Sequence, residues 1–479
     1  MSTGNKKKVI TNFIWRFLER IGAQGVSFVV SIVLGRILDR DVYGTVALVT
    51  VITAILQVLV DSGLGNALIQ KKDADHLDFS SVFYFNICAC AILYMGMFFA
   101  APFIAAFYRE NELTALVRVL SITIIISGVK NVQQAYVSRK MIFKKFFFST
   151  IGGTFVSAVA GIWMALRGYG VWALVAQIVI NPAVDTIILW ITVDFRPRAE
   201  FSFKRLKGLF SYGWKLLASA MLNTGFENIR GLVIGKINKV QLADFNRGQQ
   251  FPTFIINNIN TSISSVLLPT MSEEQDDITR IKAMTRRAIK TSTYFMAPAM
   301  LGLAACSDIF IKLLLTEKWL PAVPFLIIFC IVDVFYPIAT ANLNAMMAIG
   351  RSDLFLKLEI IKKTSNLLIL LITVRHGVMA ITYGMIVAEF IGQVVNAWPN
   401  KKLIGYSYCE QMLDILPTLM LSAVMASVVY CIRFLDINLL AMLLIQIVAG
   451  VVFYIFGSVI FRFETFSYVI GIIKDWKKQ

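Results

Sequence analysis

Stretches of about 20 apolar residues, the length that carries a helix across a bilayer, recur roughly fourteen times along this 479-residue chain. A soluble chain of this size would show amphipathic helices and alternating strands instead. The expected fold is therefore an all-α polytopic membrane protein with about 14 transmembrane helices. The spans are expected at residues 10–36, 44–69, 81–107, 115–137, 147–166, 171–193, 211–235, 248–270, 288–314, 322–348, 355–374, 378–398, 412–433 and 438–461.

Charge tests that assignment. The formal net charge is +17, which in a soluble protein would raise nucleic acid as a partner. No RNA- or DNA-binding motif is present, and basic residues gather on the cytoplasmic side of membrane proteins anyway. With the N-terminus inside, the inner segments and adjoining span ends hold far more Lys and Arg than the outer ones. The bias places both termini in the cytoplasm. Lys6, Lys7 and Lys8 precede the first run, but that run is too long and too charged for a cleaved signal peptide. The six cysteines form no disulfide framework and read as small apolar fillers. His76 and His376 lie too far apart in sequence to suggest a metal site, and no cofactor is expected.

The largest interruption is "DFRPRAEFSFKRLKGLFSYG", Asp194–Gly213, where Phe and Leu interleave with Lys and Arg. It reads as an amphipathic helix lying at the cytoplasmic interface. It also divides the chain into an N-lobe (1–193), a linker (194–210), a C-lobe (211–398) and two additional spans (399–479). Trp15-Arg16 matches Trp214-Lys215, and Val33-Leu34-Gly35-Arg36-Ile37 matches Val233-Ile234-Gly235-Lys236-Ile237. Six spans separate the matches, so the halves run in the same direction, as in transporters built from parallel repeats.

The first span is oddly polar. At 100° per residue, Arg16, Arg20, Gln24, Ser27 and Ser31 fall within an arc of roughly 80°, with Glu19 beside it. A charge at the bilayer centre costs at least about 2.5–3.5 kcal/mol, so this stripe faces protein, water or ligand. Similar stripes occur on span 2 (Thr50, Thr53, Gln57, Asp61), span 6 (Gln177, Asn181, Asp185), span 7 (Asn223, Glu227, Arg230), span 8 (Asn257–Ser265) and span 12 (Glu389, Gln393, Asn396). Span 10 carries Asp333, Asn342 and Asn344. The bland explanation is interhelical hydrogen bonding. The strongest stripes sit on spans 1, 2, 7 and 8, corresponding helices of the proposed halves, which favours a shared hydrophilic cavity.

"LGRILDRDVYGTVALVTVITAILQVLVDSGLGNALIQKKD", Leu34–Asp73, resembles the polysaccharide transporter family. So do "GYGVWALVAQ" (Gly168–Gln177), "FNRGQQFP" (Phe245–Pro252), "EKWLPAVPFL" (Glu317–Leu326) and "AIGRSDLFLKLEIIKK" (Ala348–Lys363). These are Wzx-type oligosaccharide flippases of the MOP superfamily, which also holds the MATE drug exporters and MurJ-type lipid II flippases. The resemblance implies a MOP/MATE-like fold in the bacterial inner membrane. It implies transport of an undecaprenyl-diphosphate-linked oligosaccharide between leaflets, with membrane lipids, a polysaccharide polymerase and export machinery as partners. In the family pattern the position of Arg230 is usually acidic or amide, and here it is basic.

Amides and hydroxyls suit sugars, and arginine forks suit phosphate oxygens. The candidate substrate-binding residues are Arg16, Arg20, Gln24, Gln57, Asp61, Lys215, Asn223, Glu227, Arg230 and Asn257. Asp61 or Glu227 would couple transport to H+ or Na+. A MATE-like small-molecule exporter is the alternative within transport, although such chains usually stop near twelve spans. A membrane polymerase or ligase is the alternative among enzymes. The outer loops are short, and the longest, about 236–247, lacks an acid–base pair at a suggestive spacing.

Overall fold

The computed structural model of the chain describes residues 3–61, 63–274 and 276–476. Among these, every regular element is a helix, and the chain forms two compact units, Met1–Ala243 and Asp244–Gln479.

The first unit holds α1 (Thr3–Ile37), α2 (Arg40–Asp61), α3 (Leu64–Gln70), α4 (His76–Tyr108), α5 (Leu113–Leu120), α6 (Ile122–Lys140), α7 (Lys144–Leu166), α8 (Val171–Thr192) and α9 (Phe203–Ile237). α10 (Lys239–Glu273) begins there and continues into the second unit. That unit then holds α11 (Ile278–Ala305), α12 (Ser307–Leu315), a 3-10 turn (Glu317–Ala322), α13 (Val323–Asp333) and α14 (Tyr336–Ala348). After these come α15 (Ser352–Thr373), α16 (Val378–Leu403), α17 (Tyr408–Cys431), α18 (Leu439–Ile460) and α19 (Glu464–Trp476).

Among the described residues, ten helices are long and apolar enough to cross a membrane, or eleven if α11 and α12, bent by 71° at their junction, form one span. α9, α10 and α15 coincide with three further expected spans; they run 35, 35 and 22 residues but are more polar. Large apolar side chains face outward, such as Phe103 at 76% and Ile191 at 75% exposure. A water-facing surface would not hold so continuous an apolar cover; a lipid-facing one does.

Helix ends follow local chemistry. α4 starts with a reciprocal capping box. The Asp75 carboxylate accepts from Asp78 N at 3.0 Å, and Asp78 accepts from Asp75 N at 3.1 Å. α17 starts with the same device built from Ser407 and Glu410. Lipid gives little hydrophobic drive between helices, so close packing of small residues holds them together. On α7, Gly153, Ser157, Gly161 and Ala165 recur every fourth residue and are all buried. A Cβ on Gly153 would lie 2.6 Å from Asn181 O of α8, so glycine there sets how near the two helices come.

The segment expected as an interfacial helix differs from that reading. Residues 193–202 are not helical, and helix begins only at Phe203. Pro197 has no N–H to offer a helix, and Ser202 caps the new one, its hydroxyl accepting from Arg205 N at 3.4 Å. From there α9 runs unbroken to Ile237, packed on α2, α3 and α4.

Candidate functional site: a polar pocket in the first unit

The span at residues 40–70 is broken between α2 and α3. Breaking a helix frees backbone carbonyls, which lipid cannot satisfy. Side chains of α6 do so. At the break Asn131 Nδ2 donates to Val60 O at 3.1 Å; at the far end of α3 Arg139 donates to Leu68 O at 2.8 Å, to Lys72 O at 2.5 Å and to Lys71 O. Gln133 Nε2 donates to Phe195 O at 3.0 Å, tying down the non-helical segment. Much of the polarity of α6 therefore has a structural task.

Beside this break lies a cavity of about 220 Å³ between α1, α3, α6 and α7. Its walls carry the amides Asn66, Asn131 and Gln134, the hydroxyls Ser138 and Thr150, and the ions Arg16 and Glu19. Arg16 meets Glu19 at 2.8 Å, and Thr150 Oγ1 donates to the other Glu19 oxygen at 3.2 Å. The Arg16 guanidinium also lies over the rings of Phe146 (4.8 Å) and Phe143 (5.0 Å). Arg16 thus presents a neutralised fork to the pocket. Asn131 is 5% exposed, and its Oδ1 is buried with no hydrogen-bond partner.

A wider basin of about 680 Å³ is lined by Gln70, Lys71, Ser202, Lys204 and Arg205. Lys71 is held by Asp78 at 2.6 Å, and Arg205 by Asp75 at 3.2 Å. The Asp78 backbone N–H, and then the charges of Arg205 and Lys71, keep the Asp75 carboxyl below its ordinary range despite some burial.

Of the expected site residues, Arg16 lines the pocket, and Arg20 is exposed one turn further along α1. Gln24, Gln57 and Arg230 are half-buried on α1, α2 and α9. Asn223 Nδ2 donates to Glu227 Oε1 at 2.9 Å, and both are exposed on α9. Asn257 is exposed on α10, in the second unit. The side chains of Asp61 and Lys215 lie outside the described residues.

Sequence reading missed the α6 residues Asn131, Gln134 and Ser138, and it missed Lys130. The Lys130 ammonium lies 2.9 Å from Asp185 Oδ2 of α8. The polar run "KNVQQ", Lys130–Gln134, was the available signal.

The model of the family described as polysaccharide biosynthesis protein matches residues 33–324. The chain is 24% identical over 434 residues to the lipopolysaccharide biosynthesis protein WzxC of Escherichia coli, covering 87% of each. It is 25% identical over 325 residues to the succinoglycan biosynthesis transport protein ExoT of Rhizobium meliloti, covering 68% of this chain and 66% of that one. Among solved structures, the lipid II flippase MurJ in an inward closed conformation superposes with a TM-score of 0.75. The identity is 17%, and the match covers 94% of this chain and 98% of MurJ, a likeness of fold. The family match spans more than half of the chain: the protein belongs to the polysaccharide biosynthesis protein family, and its fold is like that of MurJ.

Proposed function

We propose that the chain flips an undecaprenyl-diphosphate-linked oligosaccharide from the cytoplasmic to the periplasmic leaflet of the bacterial inner membrane. It would work by alternating access, with both termini in the cytoplasm. The observation that carries this reading is the pocket of the first unit. Three amides, two hydroxyls and a neutralised Arg–Glu pair line a cavity inside a bundle whose outer face is apolar. Neutral donors and acceptors beside an aromatic ring suit a sugar. At about 220 Å³ the cavity is smaller than the ~300–1,000 Å³ typical of drug-sized ligands, so it suits one ring of the headgroup rather than a chain of them.

The diphosphate needs a different partner, because Arg16 is already neutralised. Arg20 is exposed and offers a planar fork for two phosphate oxygens. The lipid tail stays in the bilayer throughout. WzxC and ExoT, by their names, serve lipopolysaccharide and succinoglycan biosynthesis, which supports an exported polysaccharide as the destination. A polymerase and export machinery would then use the flipped unit.

The test is gene deletion with leaflet-resolved analysis of lipid-linked intermediates. The expected result is build-up of one undecaprenyl-diphosphate oligosaccharide facing the cytoplasm, relieved by the wild-type gene and poorly by Arg20→Ala. An unchanged leaflet distribution on deletion refutes the reading.

A further inference from the structure

The basin of the first unit is a second site, apart from the sugar pocket. On α3, Gly65, Asn66 and Ile69 line the pocket, whereas Ala67 and Gln70 line the basin. The two sets centre about 120° apart around the helix, so α3 walls one cavity off from the other. Lys71 follows at the end of α3, and the start of α9 brings Ser202, Lys204 and Arg205 to the opposite wall.

The charges here are unequal. Asp78 holds Lys71 at 2.6 Å and lies 3.9 Å from Arg205, which Asp75 holds at 3.2 Å. These two carboxylates fix two of the cations in place, and neither of them lines the basin. Lys204 is exposed, and no carboxylate among the described residues holds it. The first turn of α9 carries no acidic residue. Beside the basin Arg139 gives its hydrogen bonds to carbonyls at the end of α3 rather than to an acid. The exposed Lys72 and Asp73 of the connecting turn offset each other. Lys71, Arg139, Lys204 and Arg205 therefore stand against Asp75 and Asp78 alone, a surplus of positive charge beside an open cavity.

The neighbouring apolar groups say where that cavity lies. Phe201, Phe203 and Phe210 alternate with these cations along the chain and are 53%, 69% and 46% exposed. Exposed rings interleaved with Lys and Arg sit at the boundary between lipid headgroups and acyl chains. The basin thus opens at the depth where lipid phosphates lie. Its volume of about 680 Å³ is within the ~300–1,000 Å³ of small-ligand pockets, enough for a glycerol-phosphate headgroup.

We propose that the basin binds the phosphate of an anionic phospholipid headgroup. Lys71, Lys204 and Arg205 meet the phosphate oxygens, Gln70 and Ser202 serve as neutral partners, and the acyl chains lie along Phe203 and Phe210. A bound headgroup joins the end of α3 to the start of α9. A zwitterionic lipid carries its own ammonium beside the phosphate and gains less from the surplus of cations. This site does not rest on the identity of the transported molecule.

The test is native mass spectrometry of the full-length protein in a neutral detergent, titrated with phosphatidylglycerol or phosphatidylcholine. The first phosphatidylglycerol should bind more tightly than phosphatidylcholine. Lys204→Gln, at a residue with no ion pair to lose, should weaken that binding about fivefold, the effect of one cation near an anionic lipid. Adding Arg205→Gln should bring the loss to about 25-fold; if that double variant does not fold, the single one decides. Lys402→Gln, at an exposed lysine of α16 in the second unit, should change nothing. Equal binding of the two lipids overturns the site. So does an equal loss in Lys204→Gln and Lys402→Gln, which would show only diffuse attraction. Inorganic phosphate, compared with chloride at equal ionic strength, should displace no lipid; displacement would make free phosphate the ligand and overturn the lipid assignment. Binding is read without transport, so failure of the flippase reading leaves this result standing, and the reverse.

Discussion

Lys130 and Asp185 are expected to hold α6 and α8 together, and the strength of that hold can be worked out. Their charged atoms are 2.9 Å apart, with side chains only 17% and 9% exposed. Asp185 Oδ1 has no hydrogen-bond partner, so the carboxylate leans on the lysine. Lys130→Met would strand that carboxylate. Removing one member of a buried pair costs about 3–5 kcal/mol; because both side chains keep some exposure, the lower figure applies, about 3 kcal/mol. Asp185→Leu strands an ammonium on a flexible stem that can reach a wetter position, so its cost is smaller, about 1 kcal/mol. Replacing both leaves an apolar contact of similar size, and the double variant should lie within about 1 kcal/mol of wild type. The coupling is then about 3–5 kcal/mol, at or above the upper end for groups in contact. Circular dichroism of thermal unfolding in detergent reads this. Lys130→Met should lower the midpoint by about 6–12 °C if the first unit unfolds cooperatively, and the second substitution should restore most of it. If the double variant is as unstable as the two single losses added together, the pair does not act as a unit and the reasoning fails.

Gly65→Ala should destabilise the first unit by about 1–3 kcal/mol, read as a lower unfolding midpoint. Its new Cβ would lie 2.6 Å from Asn131 Oδ1, and that amide cannot swing away without losing its bond to Val60 O. The Asp75 carboxyl is held below its unfolded value near 3.8, so the stability it gives α4 is present above that pH and is lost as pH falls through the lower folded value. The stability gap between wild type and Asp75→Ala should therefore narrow on acidification below about pH 4, and a gap that widens there contradicts the cap. For topology, an impermeant maleimide applied to intact spheroplasts should label Glu112→Cys and spare Lys402→Cys in a cysteine-free background. The reverse pattern inverts the membrane orientation.

Fold was legible because one signal dominates it. Each expected span coincides with a helix or with a pair of helices broken at a short joint. Even α9, α10 and α15, too polar to pass as spans alone, could be placed from their neighbours. The breaks themselves were not legible. Val334 looks like an ordinary position in an apolar run, and what marks the joints is a donor brought from elsewhere: Asn131 for Val60 O, Gln393 for Phe335 O. Those partners are 71 and 58 residues away, beyond any helical period. Lys130 and Asp185, 55 residues apart, escaped for the same reason.

This has a consequence for reading polar stripes in membrane helices. A polar side chain there first meets the needs of backbone carbonyls and neighbouring ions, and only what is left can meet a ligand. Arg16 shows the distinction. On the sequence it shared a face with Arg20, and both were candidates for phosphate. In the structure Glu19, three residues on and well placed for an i,i+3 pair, has already neutralised it. Arg139 is likewise occupied with the carbonyls at the end of α3. By contrast, Asn131 keeps a buried oxygen without a partner after its structural bond is made, and so does Gln393; Asn396 too has a buried oxygen without a partner. The chemistry of transport is therefore best sought at such residues, where structural demand has been met and a polar atom still remains. Substituting them should impair transport more than stability, whereas Arg139→Ala, which frees several carbonyls at once, should impair stability first.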